Sequence, residues 1–313
     1  MKNNITGLGA AAACATALVA CTTAPAPPLA HAPSPTAQMA APRDRGLVAQ
    51  ASAFESFMRH ARGIDAQFAG PSEVSEALQT GAAHEPHELE SGMIAYAALA
   101  ALQEPRLVAA VRANRNPGDL ARRLSADPQA ALALPGAEQA EARASGALFA
   151  QGAALAGEGE KVKRAAYTVQ HQAWSKAKVP DAAARLSRVK HISAEAYRPN
   201  REDPERLRQA LADGERRPGP PSPVVTRAVA LAALSVLGED GQARSLMSEP
   251  RSDSCIRLAK LNLFQCLATA GPHYEDIFCL GQHAMIDPGQ CVVDATRTAT
   301  QRQAAATKAS YKR

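Results

Sequence analysis

An all-α fold, a multi-helix bundle with a disulfide-stapled helical hairpin at its C-terminal end, is predicted by three observations. Apolar residues recur at helical spacing almost everywhere, no run of alternating β-branched residues argues for a strand, and prolines stand repeatedly where a helical pattern begins. Aromatics are only 4% of the 313 residues while alanine abounds. Helices built this way approach closely, and each contact buries less area than Leu or Phe would.

Leu47, Phe54, Phe57, Met58, Ala61, Ile64 and Phe68 mark the first helical stretch, which ends before Gly70-Pro71. Pro71 opens a second helix, with Ser72 as cap and Glu73 and Glu76 favouring its N-terminal dipole, that stops near Gly81. Pro86 opens HELESGMIAYAALAALQ, whose Leu89, Met93, Ile94, Tyr96 and Leu102 predict a buried helix. Short helices start at Pro105, Pro117 and Pro128 after Glu104, Asn116 and Asp127. Residues 137–178 read as one long helix or two in line. Gly146, Gly152, Gly157 and Gly159 each weaken it by up to ~1 kcal/mol relative to Ala, so a kink is expected near Gly157. Pro180 starts another helix, and Pro204 a short one. GERRPGPPSP at 214–223 reads as a linker, and Ser222 caps VVTRAVALAALSVLG, apolar on nearly every side except Arg227 and too short to span a bilayer. The split gives a helical region 46–213 and a C-terminal module 224–297.

The first twenty residues form an apolar run of signal-peptide length ending in Leu18-Val19-Ala20-Cys21. That tetrad resembles the bacterial lipobox, which implies cleavage before Cys21 and lipidation of its sulfur and new N-terminus. Ordinary secretion with cleavage near Ala24 or Ala26 is the alternative. Residues 21–45, with six prolines, read as a disordered tether after the lipidated cysteine. Thr22 lacks the acid that marks inner-membrane retention, so the expected location is the outer membrane, facing the periplasm. The tail after Asp294 holds five basic residues and no acid, which accounts for the net charge of +5. Residues 298–313 are expected to be a disordered basic tail able to touch cell wall or anionic lipid, and a near-neutral body argues against nucleic-acid binding.

In an oxidising compartment the remaining cysteines, Cys255, Cys266, Cys279 and Cys291, form a disulfide framework with three possible connectivities. Ser252 or Asp253 is read as the cap of a helix carrying Cys255 and Cys266, about 16 Å apart at 1.5 Å per residue and too far to pair. The chain turns at Gly271-Pro272, and a second helix runs from His273 to about Ala284, broken at Asp287-Pro288-Gly289. Facing residues of an antiparallel hairpin have a nearly constant sum of numbers, and Cys266 with Cys279 and Cys255 with Cys291 share one register. The stapling resembles that of the coiled-coil-helix-coiled-coil-helix proteins, although the cysteine gaps differ.

His84, His87, His273 and His283 are the metal-ligating candidates, but HEPHELE misses both zinc-protease patterns and no two cysteines have zinc-site spacing, so no metal or other cofactor is expected. Tyr167, His171 and Trp174 at i, i+4 and i+7 predict one helix face, a ligand platform or buried contact. Glu55-Ser56 and Glu90-Ser91-Gly92 resemble the Glu-Ser of lytic transglycosylases, whose acid protonates a glycosidic oxygen, but that family's downstream motifs are missing. The blocks GAAHEPHELESGMIAYAALAALQEPRLVAAVR and LAKLNLFQCLATAGPHYEDIFCLGQHAMIDPGQCV resemble a family of uncharacterised exported helical proteins of Gram-negative bacteria, which implies no activity. The expected function is that of a non-enzymatic cell-envelope lipoprotein, held to a membrane by its lipid and acting through a protein partner or the cell wall. A cell-wall-active enzyme using Glu55 or Glu90, and a carrier of an apolar ligand, are the alternatives.

Overall fold

The structure, a computed structural model, describes residues 46–310 apart from Asp213. The expected signal segment, the lipidation site Cys21 and the tether to residue 45 lie outside the described residues. The described chain forms fifteen α-helices and no strand. The first five are α1 (Leu47–Arg62), α2 (Pro71–Ala82), α3 (Pro86–Ala101), α4 (Pro105–Arg112) and α5 (Pro117–Ala126). Pro128–Ala133, expected as a helix, is a 3-10 turn. Then come α6 (Ala137–Val169), α7 (Ala173–Lys176), α8 (Ala182–Ser193), α9 (Asp203–Ala212), α10 (Pro223–Leu237) and α11 (Asp240–Ala243). The last four are α12 (Pro250–Thr269), α13 (His273–Cys279), α14 (Asp287–Ala295) and α15 (Ala299–Ser310).

Proline opens α2 to α5, α10 and α12, where its missing N–H costs nothing. Glutamates do much of the capping: Glu85 accepts from Glu88 N at 2.8 Å and Glu249 from Ser252 N at 2.9 Å. Ser72 is not a cap, because α2 starts from Gly70 and Glu73 reaches back to Ala69 N instead (2.6 Å). Ser252 and Asp253 likewise fall inside the first turn of α12, freeing Asp253 for another contact.

At the centre, α3 is buried nearly all round and packs on α1, α6 and α10. The Phe54 and Tyr96 rings meet at 5.2 Å, and the Tyr96 hydroxyl accepts from Gln151 Nε2 (3.0 Å) while donating to Ala210 O (3.3 Å). Helix α10, expected to belong to a separate module, is part of this same core. The expected linker is a strap laid across α6. Arg217 N donates to Ala142 O (2.8 Å), its guanidinium stacks 3.6 Å from the Phe149 ring, and a Cβ on Gly146 would lie 1.6 Å from Glu215 O. The end of the chain also departs from expectation: Ala299–Ser310 is helical, and Arg302 donates to Asp294 O (3.2 Å) and Arg297 O (2.8 Å), tying the start of α15 to the end of α14. No single described helix is long and apolar enough to cross a membrane.

Helix α6 runs unbroken through all four glycines. Gly152 and Gly159 lie where the chain from α13 to α14 crosses it, and that chain offers Gly281 and Gly289 in return. A Cβ on Gly281 would stand 2.5 Å from Lys163 N, and one on Gly289 2.7 Å from Ala156 N. The helical weakness that these glycines cause is the condition for backbone-to-backbone approach. Leu280–Ile286 links α13 to α14 as a π-helical turn, so the expected break before Pro288 is absent and one rod continues to Cys291. The wider i→i+5 pattern is how a helix absorbs such an irregularity without stopping.

Both disulfides join α12 to this rod as the register predicts, Cys266 to Cys279 with Cα atoms 5.7 Å apart and Cys255 to Cys291 with 5.8 Å. The outer bridge spans 36 residues and the inner 13. Loop entropy rising as the logarithm of length makes the outer bridge worth about 1 kcal/mol more. Urea midpoints of the double variants Cys255→Ser/Cys291→Ser and Cys266→Ser/Cys279→Ser should differ in that direction; a lower midpoint for the inner pair's variant would contradict it.

Candidate functional site

Because the start of α3 is buried, the ionisable side chains of HEPHELE are carried inward, and each must find a partner. They find them mainly along α12. Asp253 and Lys260 stand two turns apart on its buried stripe, among Ile256, Leu263 and Leu267.

Lys260 Nζ donates to Ala82 O (2.8 Å) and Ser193 Oγ (3.2 Å) and lies 3.2 Å from His84 Nδ1, while Ser193 Oγ donates to Ala82 O (3.0 Å). Burial drives the Lys260 amine well below its ordinary range; His84 is also pushed well down, by burial first and then by Lys260. With Nδ1 facing the amine, His84 Nε2 is left buried and unpartnered, its ring 4.2 Å from that of Phe57. His84, Phe57, Leu89, Ile192 and Tyr197 line a cavity of about 490 Å³. Glu88, on the same wall, accepts from Tyr197 N (2.8 Å).

The second centre lies where α3 and α12 both begin. His87 Nδ1 is 3.0 Å from Asp253 Oδ1, and Arg257 approaches the other Asp253 oxygen at 2.8 Å. Glu90 accepts from Ser248 Oγ (3.1 and 3.2 Å) and from Glu249 N. Burial lifts the Glu90 carboxyl to about 7 against the pull of those hydrogen bonds, with Asp253 adding to the rise. Donor atoms of His87, Glu90 and Asp253 all lie within 4.8 Å of one another, a set of types that can hold a metal ion.

The other candidates are placed apart from this seam. Glu55 is buried on α1 and paired with Arg59 (3.1 Å). His283 contacts Asp287 at 2.7 Å; burial would raise that carboxyl, but hydrogen bonds from His283 and Gln282 outweigh it and hold it low. His273 is pushed down by burial and then by Arg185, and its ring lies 6.4 Å from Trp174. Tyr167, His171 and Trp174 do not share a helix face, because α6 ends at Val169. Tyr167 lines a groove of about 410 Å³ with Tyr274 and Phe278; His171 and Trp174 are outside it.

Asp253, Lys260, Ser193 and Ser248 are site residues that sequence reasoning does not single out as such. Lys260 carried a legible signal, a charge on the apolar stripe of a helix; Asp253 was absorbed by its reading as a cap. Compared with known protein families, characterised proteins and solved structures, the chain finds no match.

Proposed function

We propose that this is an exported, lipid-anchored helical protein of the cell envelope, held at the outer membrane facing the periplasm, that acts through a partner or the cell wall and not by catalysis. The observation that carries this reading is the pair of disulfides joining α12 to the rod from α13 to α14, since such bridges form and persist where the compartment is oxidising. The lipobox-like tetrad ending in Cys21 supports the anchor, and multiple acyl chains make anchoring stable. The carboxylates that the enzymatic alternative needs are engaged in local bonds: Glu55 with Arg59, Glu90 with Ser248 and the Glu249 N–H. The basic C-terminal end supplies the proposed contact with cell wall or anionic lipid.

Intact-mass analysis of the chain purified from membranes tests the reading. The expected mass lacks residues 1–20 and carries a diacylglyceryl and an acyl group on Cys21; an unmodified Cys21, or cleavage elsewhere, refutes the anchor. Peptidoglycan-degrading activity of the purified chain would refute the non-catalytic part.

A further inference from the structure

We propose that His87, Glu90 and Asp253 form a binding site for one divalent transition-metal ion, zinc being the best match, that ties the start of α3 to the start of α12. His87 and Glu90 are three residues apart on one helix, so both project from the same face, the spacing by which helical bundles present a histidine and a carboxylate to a shared ion. Asp253 arrives from the facing helix. Donors around a four-coordinate zinc, with bonds of ~2.0–2.2 Å, stand roughly 3.3 Å apart. His87 Nδ1 and Asp253 Oδ1 are already 3.0 Å apart, and Glu90 lies within 4.8 Å of both.

The second observation is the state of Asp253. This residue is 7% exposed, and its Oδ1 has no hydrogen-bond partner despite its closeness to His87 Nδ1. The two atoms are close without the alignment of a donor and its acceptor, a relation that two ligands of one ion can have and that the members of a hydrogen bond do not. Buried acceptors in folded proteins are nearly always satisfied, so this one needs an occupant. Around the three ligands stands a supporting layer: Ser248 Oγ and Glu249 N hold Glu90, and Arg257 holds the second oxygen of Asp253. His87 is part-exposed, so an ion can reach the site from solvent, and three protein ligands leave a fourth position for water.

The test uses the mature, disulfide-intact chain without a histidine tag, stripped with chelator and titrated with Zn²⁺ against a chromophoric competitor, and with Co²⁺ for its visible spectrum. One ion per chain is expected, with a nitrogen- and oxygen-ligated Co²⁺ spectrum and a zinc-dependent rise in melting temperature. His87→Ala and Asp253→Asn should each weaken zinc at least tenfold and abolish the Co²⁺ spectrum, while His283→Ala, at a separate place on the rod, should leave both unchanged. Far-UV circular dichroism of each metal-free variant shows whether it is folded; should Asp253→Asn fail to fold, the part-exposed His87→Ala decides. No stoichiometric binding by the parent chain, equal affinity in His87→Ala, or loss of binding in His283→Ala would each overturn the proposal.

Discussion

Gly281→Ala and Gly289→Ala, made together, are expected to lower stability by about 2–6 kcal/mol, whereas Gly157→Ala should raise it by up to about 1 kcal/mol. In an exposed helix all three changes would stabilise, because alanine has the higher helix propensity. The sign reverses at two of them because of what the new methyl meets. At Gly281 it would meet Lys163 N at 2.5 Å, Lys163 Cα at 2.7 Å and Gly159 O at 2.9 Å; at Gly289 it would meet Ala156 N at 2.7 Å and Gly152 O at 2.8 Å. Every one of these is a backbone atom of α6, which no rotamer change can move aside. To make room for the methyls the rod and α6 must separate, which opens the seam along which their backbones touch. Gly157 has nothing within 4 Å. Urea unfolding followed by circular dichroism, with m compared between variants, is the measurement; a neutral effect at Gly281 would mean that the seam is loose enough to absorb a methyl.

These glycines show where sequence reasoning reaches and where it stops. Period, proline position and cysteine register act along one chain or within one hairpin, so the order of helices and both disulfide pairs were legible. A glycine in a helix carries the same local cost whether it faces solvent, as Gly157 does, or another backbone, as Gly152 does. Only the approach of a second helix separates the two cases. The strap at 214–223 looks like a linker in the sequence for a related reason. Its composition matches that of a free linker, and what pins it, Gly146 beneath Glu215 and Phe149 beneath Arg217, lies some seventy residues earlier. The candidate site was half legible. HEPHELE stood out as a run of ionisable groups, and its explanation as a helix start is correct for Glu85 and Pro86. That explanation left out the consequence of starting a helix inside a core, where His84, His87 and Glu90 must meet Lys260, Asp253 and Ser248. A lysine placed between Ile256 and Leu263 was the clue that α12 faces something polar.

Arg185→Ala is expected to cost about 3–5 kcal/mol, most of it from what the arginine leaves behind. From α8 the side chain enters the turn between α12 and α13, where it donates to Asp276, to Leu267 O and to Ala270 O (3.2 Å). Truncation strands a buried carboxyl and deprives two carbonyls near the end of α12 of their donor. Arg185→Lys should recover little, since one ammonium cannot reproduce a planar fork serving three acceptors. The cost should also depend on pH, in a direction fixed by Asp276. Burial lifts this carboxyl from 3.8 to about 6, while the Arg185 hydrogen bond and charge pull it down. An acid whose folded value is raised binds its proton more tightly when folded, so its contribution favours the folded state at low pH and fades as pH rises from about 4 through about 6. Without Arg185 the downward pull is gone, the folded value climbs higher, and the loss continues to higher pH. His273, pushed down by burial and by Arg185, relaxes upward in the variant, which adds a weaker slope of the same sign as pH rises. The stability gap between parent and Arg185→Ala should therefore be narrow at pH 4 and wide at pH 8. An equal gap at both, read from urea midpoints, would show that Arg185 acts through packing and its two carbonyls, and that the charge of Asp276 has no part in holding the hairpin closed.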